Sequence, residues 1–180
     1  MGAGVLEAPL EALCVELGSR AVEAGFRVVT GGLGGVMEAV SRGARAAPSW
    51  REGDVVGILP GYDRGAANPY VDVVVPTGMQ IGRNVIVVAM ADVVLAVGGE
   101  AGTLSELAIA WQLGKPILTL ATEGGWGERL AGERLDARRD DLIHSAATPE
   151  EAVALALALA ERRGPEAADI GSGWKKSNLA

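Results

Sequence analysis

Two β-rich runs in this chain end in glycine and pass at once into helical periodicity: 28-VVTGGLGGVME-38 and 94-VLAVGGEAGTLSE-106. Few folds repeat such a junction. Parallel strands need a long crossover, and a helix entered through a glycine turn supplies one. The rest of the chain keeps the alternation. Leu6, Leu10, Leu13, Leu17 and Val22 fall near helical spacing within 5–24, and Gly25 follows as a stop. Strand-like runs follow at 26–32, 54–61, 71–76, 93–99 and 115–121, with helical runs at 35–47, 82–91 and 103–114. A last helix is expected from Thr148, with Pro149 at its first position and Glu151 three residues after the cap.

These runs predict an α/β fold, a doubly wound parallel sheet with helices on both faces in a single domain over 1–163. Residues 164–180 are expected to be a flexible tail, and 122–141, which has no usable period, a loop or lid. Such sheets usually open with a strand, whereas this sequence opens with a helix. The hydrophobic share is 49%, yet there are only four Trp, two Tyr and one Phe. Val, Leu, Ile and Ala must therefore fill the core, as in buried parallel strands covered by Ala-rich helices.

Charge and ligand supply exclude several functions. A formal charge of -7 opposes a surface that neutralises nucleic-acid phosphates, so no nucleic-acid partner is expected. One Cys (Cys14) and one His (His144) cannot build a zinc cluster or an intrachain disulfide. No apolar run reaches the ~20 residues that span a bilayer. Without a signal-peptide pattern at the start, the expectation is a cytoplasmic protein with no membrane partner.

Glycine lets a ligand approach the main chain, and the free amides of the following helix offer donors to an anion. Gly31, Gly32, Gly34 and Gly35 at the first junction, and Gly98, Gly99, Gly102 and Thr103 at the second, are thus candidate phosphate contacts. Neither junction matches the dinucleotide or P-loop spacing. By spacing alone, Thr103 and Glu106 form a capping box. Trp111 reads as core or subunit contact rather than as a base-stacking platform. Trp126 reads either as a ring stacked on a ligand or as a loop anchor.

In order, GGLGGVMEAVSRGA, GILPG, ANPYVDVVVPTGM, GRN and GGEAGTLSE resemble the Rossmann-like LOG (Lonely Guy) family, once mislabelled lysine decarboxylases, and more closely its molybdenum-cofactor-carrier-like branch. The resemblance implies a homo-oligomer, dimer or tetramer, that binds a phosphorylated small molecule of nucleotide or molybdopterin type as a carrier or binding protein. The alternative it implies is a nucleotide 5'-monophosphate phosphoribohydrolase, in which Arg83 orients the ligand and Glu106 contacts ribose or positions water. The chain departs from the LOG loop at Gly98, where the family has Pro, at Glu100, where it has Gly, and at Asn84, where it has Lys. A pyridoxal decarboxylase needs a Schiff-base Lys. Only Lys115, Lys175 and Lys176 are present, none of them near a glycine junction in sequence.

Glu100 is the odd member of the second junction. A carboxylate about 5 Å from a phosphate costs on the order of 3 kcal/mol at an effective dielectric near 20. It is therefore expected either to turn outward or to share a metal ion such as Mg²⁺ with the ligand phosphate.

Overall fold

A computed structural model of the chain describes residues 6–122 and 124–162. The expected tail at 164–180 lies outside the described residues. Helix α1 (Ala8–Glu23) buries Cys14, Leu17, Gly18 and Val22 along one stripe. It stops at Gly25, whose φ of +88° only glycine adopts at little cost. The Phe26 amide then reaches back to the Ala21 carbonyl at 3.0 Å, which closes the helix end.

Strands β1 (Val28–Thr30), β2 (Val55–Leu59) and β3 (Val73–Pro76) form one parallel sheet in the order β1-β2-β3. A second parallel sheet, β4-β5-β6, comprises Val94–Val97, Ile117–Leu120 and His144–Ala146. The central strands β2 and β5 are buried at every position, as their continuous apolar runs require. Helices α1, α2 (Val36–Ala46) and α6 (Pro149–Arg162) cover one face. Cys14, Leu17 and Ala39 there share a core with Val97, Leu118 and Leu120, while Val22 and Ala44 share another with Val28 and Val55, so α1 and α2 bridge both sheets. On the opposite face lie α3 (Asn84–Met90) and α4 (Ala101–Gln112), where Val88, Leu107 and Trp111 pack with Ala96, Ile117 and Ile143. This is the expected doubly wound α/β architecture.

Among the described residues no strand precedes α1, and β1 and β4 each pair on one side only. The Val28 amide points to Asp54 of the β2 side and the Val94 amide to Pro116 of the β5 side. Main-chain groups alternate in direction along a strand. Those of Val29 and Leu95 therefore face away from their sheets.

The expected loop or lid at 122–141 is a correction. It contains α5 (Gly125–Leu130), and its remainder is fastened to α4. Asp136 accepts from the Trp111 indole at 3.0 Å, and the Arg139 guanidinium lies 4.5 Å above the Trp111 ring. Arg139 also donates to the Trp111 and Lys115 carbonyls at 3.0 and 3.1 Å, a cation where the dipole of α4 is negative. Trp111 is core, one of the two roles its spacing allows. Lys115 is likewise structural, since its Nζ donates to the Ala89 and Ala91 carbonyls at the end of α3. Among the described residues no helix is long and apolar enough to cross a membrane.

Candidate functional site

Both glycine junctions lie at the carboxyl ends of strands, the edge at which open parallel sheets bind ligands. At the first, Thr30 Oγ1 accepts from the Gly32 amide at 3.0 Å. Gly32 and Gly35 both take φ of +71°, Gly35 in the position before α2. The turn is clamped from the β2–β3 connection by Asn68, 8% exposed. Its amide donates to the Gly32 carbonyl at 2.8 Å and its side chain to the Leu33 carbonyl at 3.0 Å. Nothing in the spacing singled out Asn68. The Asn-Pro pair marks a turn, but only the fold shows what that turn holds.

At the second junction Gly98 and Gly99 adopt φ of +57° and +99°. The Gly98 and Gly99 carbonyls accept from the Gly127 and Trp126 amides, both at 2.9 Å. The backbone of α5 thereby fixes the loop, and the Trp126 ring meets Arg129 at 5.2 Å. Glu100 precedes α4 as its cap position but makes no side-chain bond to the helix amides. The first intrahelical bond runs from the Leu104 amide to the Glu100 carbonyl, so the amides of the first turn retain donors for an anion. A side chain built at Gly102 meets nothing within 4 Å.

The capping-box reading of Thr103 and Glu106 is overturned. Helix α4 starts at Ala101, which puts Thr103 inside it, its side chain folded back over Gly99. Glu106 instead turns to Arg83, Oε1 to Nη1 at 3.3 Å. Arg83 closes a short 3-10 turn (Gln80–Arg83) that opens at Gln80 with φ of +52°, a strained conformation for a non-glycine residue. The guanidinium is buried, 9% exposed. Nη1 also donates to Asn84 Oδ1 at 2.7 Å, and Asn84 Nδ2 donates to Ser105 Oγ at 3.1 Å. Nη2 occupies the space a Cβ at Gly31 would take, 2.3 Å away. Arg83 Nε is buried with no protein partner.

Arg83 therefore ties the first glycine turn to α4. Burial raises the Glu106 carboxyl above its ordinary value, with the Arg83 charge and hydrogen bond working the other way. Glu100 is exposed. Among the described residues no group of three or more His, Cys, Asp or Glu side chains is arranged to hold a metal ion. His144 lies in β6. Cys14 is fully buried, and burial pushes its thiol up to about 11.

The sequence model of the SLOG cluster4 family matches residues 1–153. An uncharacterised protein of Archaeoglobus fulgidus is 38% identical over 120 residues, 67% of this chain and 76% of that one. Among solved structures, a structural-genomics target superposes with a TM-score of 0.75 at 43% identity, over 82% of this chain and 87% of its own. The molybdenum cofactor binding protein of Rippkaea orientalis gives 0.72 at 30% identity, over 85% and 89%. The molybdenum cofactor carrier protein of Chlamydomonas reinhardtii gives 0.69 at 26%, over 88% and 93%.

Proposed function

Since the chain belongs to the SLOG cluster4 family, whose fold it shares with proteins described as binding or carrying the molybdenum cofactor, we propose that it is a carrier or binding protein for a phosphorylated small molecule of that kind or a nucleotide. The observation that carries the reading is Arg83, buried beside Gly31 with an unpartnered Nε. A buried donor without a partner is rare in native structures and calls for an acceptor. The amides of the Gly31–Gly35 turn other than that of Gly32, which Thr30 holds, and those of the Gly98–Thr103 helix start supply the remaining donors. Glu100 is exposed; either it stays turned to solvent, or its carboxylate would hold a Mg²⁺ shared with the ligand phosphate, which would screen their repulsion.

Glu106 supports a second reading, the phosphoribohydrolase. A carboxyl whose affinity for protons is raised by burial suits proton transfer to a leaving base. Incubation with nucleoside 5'-monophosphates separates the two. The carrier predicts binding by calorimetry without release of free base and ribose 5-phosphate, whereas release at enzyme-like rates would establish the hydrolase. In either case Gly102→Val should abolish binding while the fold survives, because its side chain enters open space at the amides of α4. Unchanged affinity in the folded variant would remove the second junction from the site.

A homo-oligomer belongs to the same proposal. Ile81 and Tyr62 are 87% and 82% exposed, with Met79 and Val85 half exposed nearby in sequence to Arg83. Helix α3, NVIVVAM, is apolar on every side after Asn84, a composition that calls for cover. A second copy of the chain provides it. Light scattering should show an assembly larger than one chain, and Ile81→Asp should shift it to monomer with little change in helical signal. A monomeric parent would exclude this interface.

A further inference from the structure

The carboxyl edge of the sheet holds a cleft that the phosphate donors do not use. It lies between the ends of β5 and β6 and α5, measures ≈ 290 Å³, and is lined by Thr119, Ala121, Thr122, Glu128, Ala131 and Ser145. That is the small end of the range for ligand sites, large enough for one ring system. The Thr119 hydroxyl is already committed to the His144 carbonyl at 3.2 Å. Three polar groups remain. Thr122 Oγ1 is buried without any partner, Ser145 is exposed on β6, and Glu128 presents a carboxylate. Glu128 Oε2 accepts from the Gly124 amide at 2.6 Å, and a carboxylate has further lone pairs to offer.

This cleft adjoins the phosphate-binding junction. Thr122 Oγ1 lies 3.8 Å from the position a Cβ would take at Gly98, so a molecule whose phosphate sits on the amides of α4 can run along the strand ends into it. The step rests on the binding function proposed above. We propose that the cleft receives the ring of that ligand, and that the ring presents an N–H and an NH₂ side by side, the 2-amino-4-oxopyrimidine edge shared by guanine and pterins. An ionised carboxylate only accepts hydrogen bonds. Two adjacent donors match its two oxygens, whereas the amine and ring nitrogen of adenine offer one donor beside one acceptor and leave a lone pair facing the carboxylate. Thr122 supplies the third contact, to the ring oxygen or nitrogen, and with it the partner its hydroxyl lacks. Glu128 is thus the specificity-determining residue.

The test is calorimetric titration of the full chain with guanosine 5'-monophosphate, inosine 5'-monophosphate, a monophosphorylated pterin and ribose 5-phosphate. Inosine keeps the ring N–H and loses the amine. Guanosine monophosphate and the pterin should bind at least about tenfold more tightly than inosine monophosphate, since a site built to bond a group rejects the analogue lacking it. Whichever of the two binds more tightly names the natural source of the edge. Glu128→Gln, which keeps an acceptor for the Gly124 amide, should erase the margin over inosine and leave ribose 5-phosphate unchanged. Equal affinities for the guanosine and inosine nucleotides, or a margin that survives in Glu128→Gln, would overturn the ring assignment while ribose 5-phosphate still reports an intact phosphate site. Failure of every phosphorylated compound to bind would overturn both.

Discussion

Gly43→Ala should cost the fold about 3 kcal/mol or more, a drop of roughly 10 °C in Tm for a chain of this size. Helices α1 and α2 cross with their backbones in contact. A Cβ at Gly43 would lie 1.8 Å from the Val15 carbonyl oxygen, and one at Gly18 would lie 2.0 Å from the Val40 carbonyl oxygen. Both obstacles are main chain, so no rotamer change relieves them. The helices would have to separate, and the separation would open the core that Cys14, Leu17 and Ala39 share with β4 and β5. Gly18→Ala should behave alike. Gly53→Ala is the control, because Gly53 has φ of +97° and nothing within 4 Å of a Cβ. It reports only the strain of a left-handed alanine, about 1–2 kcal/mol. Thermal unfolding followed by circular dichroism compares the three. If Gly43→Ala melts no lower than Gly53→Ala, the close crossing is not present in solution.

That crossing also marks where the sequence stops being legible. Gly18 and Gly43 sit inside helical periods, and a glycine there reads locally only as a weakness. Its use for close packing exists once α2 lies across α1. Local signals hold where no distant partner competes with them. Gly25 ends α1, and the continuous apolar runs of β2 and β5 become the fully buried strands. Thr148 Oγ1 accepts from the Glu151 amide at 3.2 Å, while Glu151 reaches back to the Ala147 amide at 2.8 Å.

The elements that depart from local pattern share a cause. Helix α5 carries two glycines in its six residues, GWGERL, and is held by backbone bonds to the Gly98–Gly99 loop. Strand β6, HSA, owes its shape to pairing with β5 rather than to propensity. Glu106 satisfied a local capping rule and lost it to an arginine 23 residues away in sequence. In each case a distant partner outweighed the local preference, and a linear pattern does not contain that partner. The candidate site was legible in its glycines and, through the family register, in Arg83 and Glu106. The Asn68 clamp, the Asn84–Ser105 bond and the buried hydroxyl of Thr122 were not.

Arg83→Met should weaken binding of a sulfate or phosphate probe about a hundredfold. Hydrogen bonds to charged groups contribute about 1.5–3 kcal/mol each, and the guanidinium offers an unpartnered Nε together with the Nη2 against Gly31. Stability should change much less, because Met fills a similar volume and Glu106, relieved of the arginine, can escape its burial cost by taking up a proton. Glu106 sets the pH dependence. Its folded-state proton affinity is raised by burial, so its contribution to stability is complete below the unfolded carboxyl value and is lost as pH rises through the folded one. For anion binding the same proton removes a competitor. While Glu106 is ionised it shares Nη1 and repels the incoming charge. Once protonated it leaves Arg83 to the ligand, so affinity should rise as pH falls through the Glu106 titration, above the usual carboxylate range. A phosphate monoester takes up a proton of its own near pH 6, which makes inorganic sulfate the cleaner probe. Sulfate affinity in the parent should climb toward low pH. In Glu106→Gln it should be flat and, at neutral pH, tighter than in the parent. A flat profile in both proteins, or full sulfate affinity in folded Arg83→Met, would mean that this pair only joins α3 to α4 and that the anion site lies elsewhere.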